Sequence, residues 1–120
     1  MNRLAKSFSY AWKGIVFAVK HEKNFQVEAV VGVFIIAAML ILPLNGLERA
    51  LIVFSVALVL ALELANTALE KVMDLLKPRI HPYVRVIKDM MAGAVLLTSL
   101  AAVAIGIAIF LPHALAFFGY

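Results

Sequence analysis

Three long apolar segments dominate this 120-residue chain and restrict what it can fold into. They cover about residues 27–44, 47–70 and 86–111, and each is close to the roughly 20 residues that cross a hydrocarbon core. The chain is 65% hydrophobic and only 15% charged. Because a soluble chain this short has no interior large enough to bury so much apolar surface, we predict an all-α membrane protein with three transmembrane helices.

A further helix is predicted ahead of these spans, over about residues 1–24. Its apolar and basic side chains repeat at helical spacing on opposite faces. Tyr10 and Trp12 suit the headgroup region, where an amphipathic ring has one dry side and one wet side. We predict an amphipathic helix lying on the membrane surface, within a single domain that covers residues 1–120.

The basic residues predict the orientation of the chain. Of its 11 Lys and Arg residues, only Arg49 belongs to the turn between the first two spans, and none follows the third span. The positive-inside rule therefore makes the N-terminus cytoplasmic and the C-terminus external. Because the basic residues flank apolar runs, the net charge of +4 indicates anionic lipid headgroups rather than nucleic acid as the partner. The absence of cysteine excludes disulfides and thiolate metal sites.

The acidic residues gather at the cytoplasmic ends of the spans, and of the seven only Glu48 is predicted to lie outside. At 100° per residue, Asn66, Glu70 and Asp74 fall within about 60° of Glu63 on one helix face. An intramembrane carboxylate costs about 2.5–3.5 kcal/mol and usually faces protein, water or a cation. Clustered carboxylates are hard oxygen ligands that suit Mg²⁺. The pattern therefore predicts a carboxylate site at the inner leaflet.

Other interpretations of the same residues remain open at this point. The polar side chains could join neighbouring helices through hydrogen bonds, which would make the cluster a structural feature of an oligomer. Intramembrane acids also form proton or cation pathways, although the outer half of each span is almost purely apolar. Glu22 and Glu28 could be solvated interfacial glutamates, and Asp89 could form an ion pair with Lys88.

Four segments resemble a known family over nearly the whole chain. They are Ser9-Tyr-Ala-Trp-Lys-Gly14, Glu22-Lys-Asn-Phe-Gln26, Glu63-Leu-Ala-Asn-Thr-Ala-Leu-Glu70 with Asp74, and Lys88-Asp89 followed by Ala92-Gly-Ala-Val95. The E-x-x-N-[ST]-A-x-E core with a downstream KD pair is a far more specific signal than any single short motif. On these residues the chain resembles the prokaryotic diacylglycerol kinase family, which includes the undecaprenol kinases.

The resemblance implies a bacterial inner-membrane protein with one surface helix and three transmembrane helices that works as a homotrimer. Its active sites would lie between subunits at the cytoplasmic interface. The implied reaction transfers the γ-phosphoryl group of Mg-ATP to a lipid hydroxyl group.

The resemblance also implies roles for individual residues. Glu63 would be the general base, Asn66 would orient the carboxylates, and Glu22 and Glu70 would hold Mg²⁺. The nucleotide-binding residues implied in this way are Arg3, Tyr10, Glu22, Glu70, Arg79, His81, Lys88 and Asp89. Those implied to contact the lipid substrate are Trp12, Glu28, Glu63 and Ala92.

The substrate expectation rests on smaller segments. Asn24-Phe-Gln26, His81-Pro82, Ala92 to Val95, and Gly106 with Ile109-Phe-Leu-Pro112 are similar to the undecaprenol kinase branch. Glu28, in contrast, is similar to the diacylglycerol branch. The sequence therefore favours undecaprenol as the substrate, with diacylglycerol as the alternative.

Overall fold

The computed structural model describes residues 2–76 and 82–120, and within these ranges the secondary structure is entirely helical. Four helices follow one another in chain order. They are α1 (Arg3–His21), α2 (Lys23–Ile41), α3 (Gly46–Leu75) and α4 (Pro82–Phe117).

The three predicted spans correspond to α2, α3 and α4, each of which is long and apolar enough to cross a membrane. Two helices extend beyond the predicted segments: α3 continues to Leu75, and α4 runs from Pro82 to Phe117. The reason is that hydropathy marks only the lipid-facing core, whereas backbone hydrogen bonding continues into the polar ends. At 36 residues, α4 is about 54 Å long and exceeds a hydrocarbon core of about 30 Å.

Helix α2 starts earlier than predicted, at Lys23, but ends at Ile41 instead of Leu44. It ends there because Pro43 disfavours a helical backbone at Leu42.

The first two helices meet at Glu22, so the predicted helix over residues 1–24 ends earlier than expected. Glu22 has an extended backbone (φ −110°, ψ 109°), and its N–H donates to the Ala18 carbonyl at 2.9 Å. The Gln26 amide crosses the corner and donates to the Val19 carbonyl at 2.8 Å. Because the chain turns here, Lys23 begins α2 instead of ending α1.

The connection between α2 and α3 covers residues 42–45 and ends in a capping box. The Asn45 side chain accepts from the Glu48 N–H at 2.8 Å, and the Glu48 carboxylate accepts from the Asn45 N–H at 3.1 Å. Arg49 donates to the Leu42 carbonyl at 3.3 Å. These contacts fix the start of α3, since they pair N–H groups that a helix leaves unsatisfied.

Helix α3 is central, because it packs against both α2 and α4. A buried cluster of Met39, Leu44, Ile52 and Ile109 joins the end of α2, the start of α3 and the end of α4. The three spans therefore alternate in direction. At the opposite ends, α2 carries Glu28 and α3 carries Glu63, Glu70 and Asp74, whereas Glu48 lies in the first turn of α3.

Gly32 allows α2 to approach α3 closely, and this approach predicts the effect of a substitution on stability. A Cβ at position 32 would lie 2.9 Å from Val56 Cγ1, and the short, branched valine side chain has little freedom to move away. We expect Gly32→Ala to destabilise the protein by about 1–3 kcal/mol through overpacking. Thermal unfolding in detergent measures this effect.

Gly106→Ala is the matched control, since Gly106 lines the same interhelical cavity and a Cβ there has nothing within 4 Å. That variant should be neutral or slightly stabilised, because alanine favours a helix over glycine by about 1 kcal/mol. Equal unfolding temperatures for the two variants would contradict the close approach at Gly32.

Candidate active site

Four glutamates from two helices converge at one end of the bundle. Glu22 and Glu28 come from the corner and first turns of α2, and Glu63 and Glu70 come from the last three to four turns of α3. Glu63 interacts electrostatically with Glu22 and Glu70, and Glu28 interacts with Glu63. We call these four residues the carboxylate cluster. It brings together acids from the ends of α2 and α3, whereas Asp89 of α4 is not among them.

Glu63 is the most enclosed member of the carboxylate cluster. It is only 4% exposed, although it forms no ion pair with a basic residue in the described part of the chain. A buried carboxylate without a counter-ion is costly, and such groups are retained mainly where they bind a proton, a cation or a polar ligand. This burial is compatible with the catalytic role predicted for Glu63, which stays a prediction.

Glu28 extends the carboxylate cluster toward an apolar cavity. Its Oε2 atom is buried and has no hydrogen-bond partner among the described residues. It lines a cavity of about 400 Å³ between α2, α3 and α4, together with apolar side chains, Ser55 and Ser99. An unsatisfied buried acceptor at the end of an apolar cavity suits a ligand that has a hydroxyl group and a hydrocarbon chain.

Asn66 and Glu70 form the more exposed side of the cluster. The Asn66 amide donates to the Glu70 carboxylate at 3.3 Å, a long hydrogen bond across one helical turn. Asp74 lies one turn further along α3 and is exposed. Asn66 therefore contacts a carboxylate in the way that its expected orienting role requires, and that role stays a prediction.

The sequence analysis missed the contact made by Lys71. Its Nζ atom lies 3.1 Å from the Glu22 carboxylate and 5.5 Å from the centre of the Phe17 ring. His21 stacks on the same ring, with 4.5 Å between centroids. Lys71 is about 100° from Glu70 around α3 and so lies off the Glu63 face. This direction leads to the corner between α1 and α2, where Glu22 lies, and no spacing in the sequence reveals that contact.

The residues present fit a hard divalent cation that arrives with another ligand. No group of three or more His, Asp or Glu residues within 2–76 and 82–120 is arranged to hold a metal ion. Mg²⁺, however, is commonly bound by one or two carboxylates together with waters and substrate phosphates. Glu22 and Glu70 are partly or fully accessible and both interact with Glu63, so their oxygens suit that mode.

Other predicted site residues are not brought to the carboxylate cluster by this single chain. Arg3, Tyr10, Trp12, Asp89 and Ala92 are exposed and Lys88 is half-buried, and no hydrogen bond or ion pair between described residues joins any of them to the four glutamates. The predicted nucleotide contacts Arg79 and His81 lie outside the described residues. The single chain therefore brings together Glu22, Glu28, Glu63 and Glu70, and the roles predicted for them stay predictions.

The fold and the site define a class: a small helical membrane protein with a carboxylate cluster at one end of its spans. A family model described as prokaryotic diacylglycerol kinase matches residues 9–110. A diacylglycerol kinase from Synechocystis is 41% identical over 91% of this chain and 63% of its own length. An undecaprenol kinase from Bacillus subtilis is 35% identical over 93% of this chain and 91% of its own length. A diacylglycerol kinase from Escherichia coli K12 is 33% identical over 84% of this chain and 83% of its own length.

The chain therefore belongs to the prokaryotic diacylglycerol kinase family. Its relatives are named as lipid kinases, so it is a member of an enzyme family, as the resemblance in the sequence predicted. It covers 63% of the length of the Synechocystis relative.

Proposed function

We propose that this protein catalyses the ATP-dependent phosphorylation of a membrane lipid alcohol at the cytoplasmic leaflet, and that the lipid is undecaprenol. The observation that carries the proposal is the burial of Glu63 among Glu22, Glu28 and Glu70 at one end of the spans. A lipid alcohol places its hydroxyl group at this depth and its chain in the bilayer.

Glu63 is the general base in this proposal. Its carboxylate accepts the proton of the lipid hydroxyl while the hydroxyl oxygen attacks the γ-phosphorus of ATP and the bond to ADP breaks. Glu28 is placed to accept a hydrogen bond from the same lipid head, because its Oε2 atom has no partner among the described residues. Asn66 holds Glu70 in position through its amide.

Glu22 and Glu70 are the carboxylates that would hold Mg²⁺. The metal, when bound, neutralises charge on the ATP phosphates during transfer. Because Glu22 and Glu70 would hold the metal, Glu63 stays free to act as the base. That division of tasks agrees with the exposure of the three residues, since Glu63 is buried, Glu22 is half-buried and Glu70 is exposed.

A homotrimer completes the site in our proposal. The nucleotide contacts expected from the sequence, Arg3, Tyr10, Lys88 and Asp89, do not reach the carboxylate cluster of their own chain. In a trimer with shared sites, these residues come from a neighbouring copy. Arg79 and His81 remain proposed nucleotide contacts.

The proposed arrangement in the membrane follows from charge. The carboxylate cluster and the basic residues of α1 share the cytoplasmic side of a bacterial inner membrane, with the C-terminus outside. Helix α1 lies in the interface as an amphipathic helix, and the exposed Trp12 and Ala92 face the lipid substrate or the bilayer.

Diacylglycerol is the second candidate substrate, because the Synechocystis relative named as a diacylglycerol kinase shares 41% identity with this chain. The undecaprenol kinase from Bacillus subtilis shares 35%. We favour undecaprenol because four sequence features are similar to that branch: Asn24 to Gln26, His81-Pro82, Ala92 to Val95, and Gly106 with Ile109 to Pro112. The apolar cavity suits the hydrocarbon chain of either lipid. Neither the cavity nor the sequence identity therefore decides between the two substrates.

A side-by-side assay separates the two substrates. The purified protein is given ATP, Mg²⁺ and either undecaprenol or diacylglycerol in the same mixed micelles, and kcat/KM is measured for each lipid. We expect the higher value for undecaprenol. A higher value for diacylglycerol would reverse the substrate assignment, and no transfer to either lipid by a folded oligomer would contradict the kinase proposal. The cluster would then be a cation pathway or an assembly site.

A further inference from the structure

The ion pair between Lys71 and Glu22 joins the corner of α1 and α2 to α3. Lys71 lies 3.1 Å from Glu22, and the side chains of the two residues are 54% and 24% exposed. The ammonium group also lies over the Phe17 ring of α1, and Lys71 lines the cavity of about 470 Å³ between α1 and α3. One lysine of α3 thus contacts both α1 and the corner residue Glu22.

This contact conflicts with the task assigned to Glu22. A carboxylate oxygen that holds a cation cannot keep a close ammonium partner without strong repulsion between the two positive charges. Glu22 also interacts with Glu63, whose buried charge makes a positive neighbour favourable when no metal is present.

We propose that Lys71 is an internal counter-ion that holds Glu22 until a metal displaces it. The inference rests on the proposed function only in using Glu22 as a metal ligand. Lys71 is then a positioning residue that competes with free divalent cations for Glu22. The carboxylate cluster consequently has a low metal occupancy until the cation arrives together with nucleotide phosphates.

Lys71→Met tests the proposal, because methionine keeps an unbranched apolar stem and removes the charge. Mn²⁺ binding to the full-length protein in detergent is measured by electron paramagnetic resonance without ATP or lipid. Since a half-exposed ion pair is worth up to about 1 kcal/mol, we expect Mn²⁺ to bind about fivefold more tightly to the variant.

Thermal unfolding gives a second readout that does not depend on activity. Without divalent cations, Lys71→Met should unfold at a lower temperature than the unaltered protein, and added Mg²⁺ should stabilise the variant more. Lys71→Arg should restore the behaviour of the unaltered protein. Lys20→Met is the matched control, since it removes an exposed lysine from the last turn of α1 that makes no ion pair with Glu22.

The outcomes separate this proposal from the kinase proposal. Tighter Mn²⁺ binding by Lys71→Met, lost when Glu22→Gln is added, would support the counter-ion role even if no lipid were phosphorylated. Equal Mn²⁺ binding by the unaltered protein, Lys71→Met and Lys20→Met would overturn it even in an active kinase. The absence of measurable Mn²⁺ binding in every variant would overturn it as well.

Discussion

Glu63→Gln should lower the rate of phosphate transfer to the lipid about a thousandfold while leaving the protein folded and assembled. Glutamine has nearly the same shape but accepts no proton, so the contribution of a general base, about a thousandfold in kcat, is lost. Because Glu63 is 4% exposed and lies among other glutamates, removal of its charge should leave the unfolding temperature unchanged or raise it. Transfer of labelled phosphate and thermal unfolding measure the two effects.

Glu48→Gln is the matched control for this substitution. It makes the same chemical change in the same helix, at the opposite end of α3, and glutamine preserves the capping box with Asn45. Its activity should equal that of the unaltered protein. If Glu63→Gln instead lost its oligomeric state in detergent, the carboxylate cluster would be an assembly feature and the assignment of Glu63 as a base would be wrong.

Glu70→Gln should raise the Mg²⁺ concentration required for half-maximal activity by about a hundredfold. A neutral amide binds a hard cation much more weakly than a carboxylate does, and altering even the supporting groups of a metal site costs about 10–100-fold. The hydrogen bond from Asn66 is not lost, because the new amide oxygen can still accept it. Initial rates across a Mg²⁺ series, at fixed ATP and lipid, measure the shift.

The Mg²⁺ series also distinguishes Glu70 from Glu63. High Mg²⁺ should restore much of the activity of Glu70→Gln, because the reacting groups are intact, whereas it should restore none in Glu63→Gln. A rate for Glu70→Gln that is low and independent of Mg²⁺ would contradict its assignment as a metal ligand.

The number and order of the helices could be predicted from the sequence because the apolar segments are long and uninterrupted. The ends of the helices could not. Hydropathy does not register that α3 continues through Glu70 and Asp74 to Leu75, or that the chain turns at Glu22 with an extended backbone. Such ends depend on capping and on packing at the corner, which involve few residues and no periodic pattern.

The contacts of the candidate site could likewise be predicted only in part from the sequence. Helical spacing alone relates Glu63, Asn66 and Glu70, since they lie on one element. The approach of Glu22 and Glu28 follows from the alternation of the spans. The contact of Lys71 with Glu22 depends on the angle of the corner between α1 and α2, which no sequence spacing encodes. Contacts between copies, including those proposed for Arg3 and Lys88, depend on an assembly that one chain does not determine.

The most direct test of the central claim is to follow the γ-phosphoryl group of ATP into membrane lipid. The unaltered protein and Glu63→Gln are reconstituted at equal density in bacterial lipid vesicles and supplied with γ-labelled ATP and Mg²⁺. The lipids are then extracted and identified by mass spectrometry. We predict that the label enters a lipid alcohol, as a monophosphate, only with the unaltered protein. Equal labelling by Glu63→Gln, or no lipid labelling by a folded and assembled protein, would contradict the claim that the carboxylate cluster is a phosphoryl-transfer site.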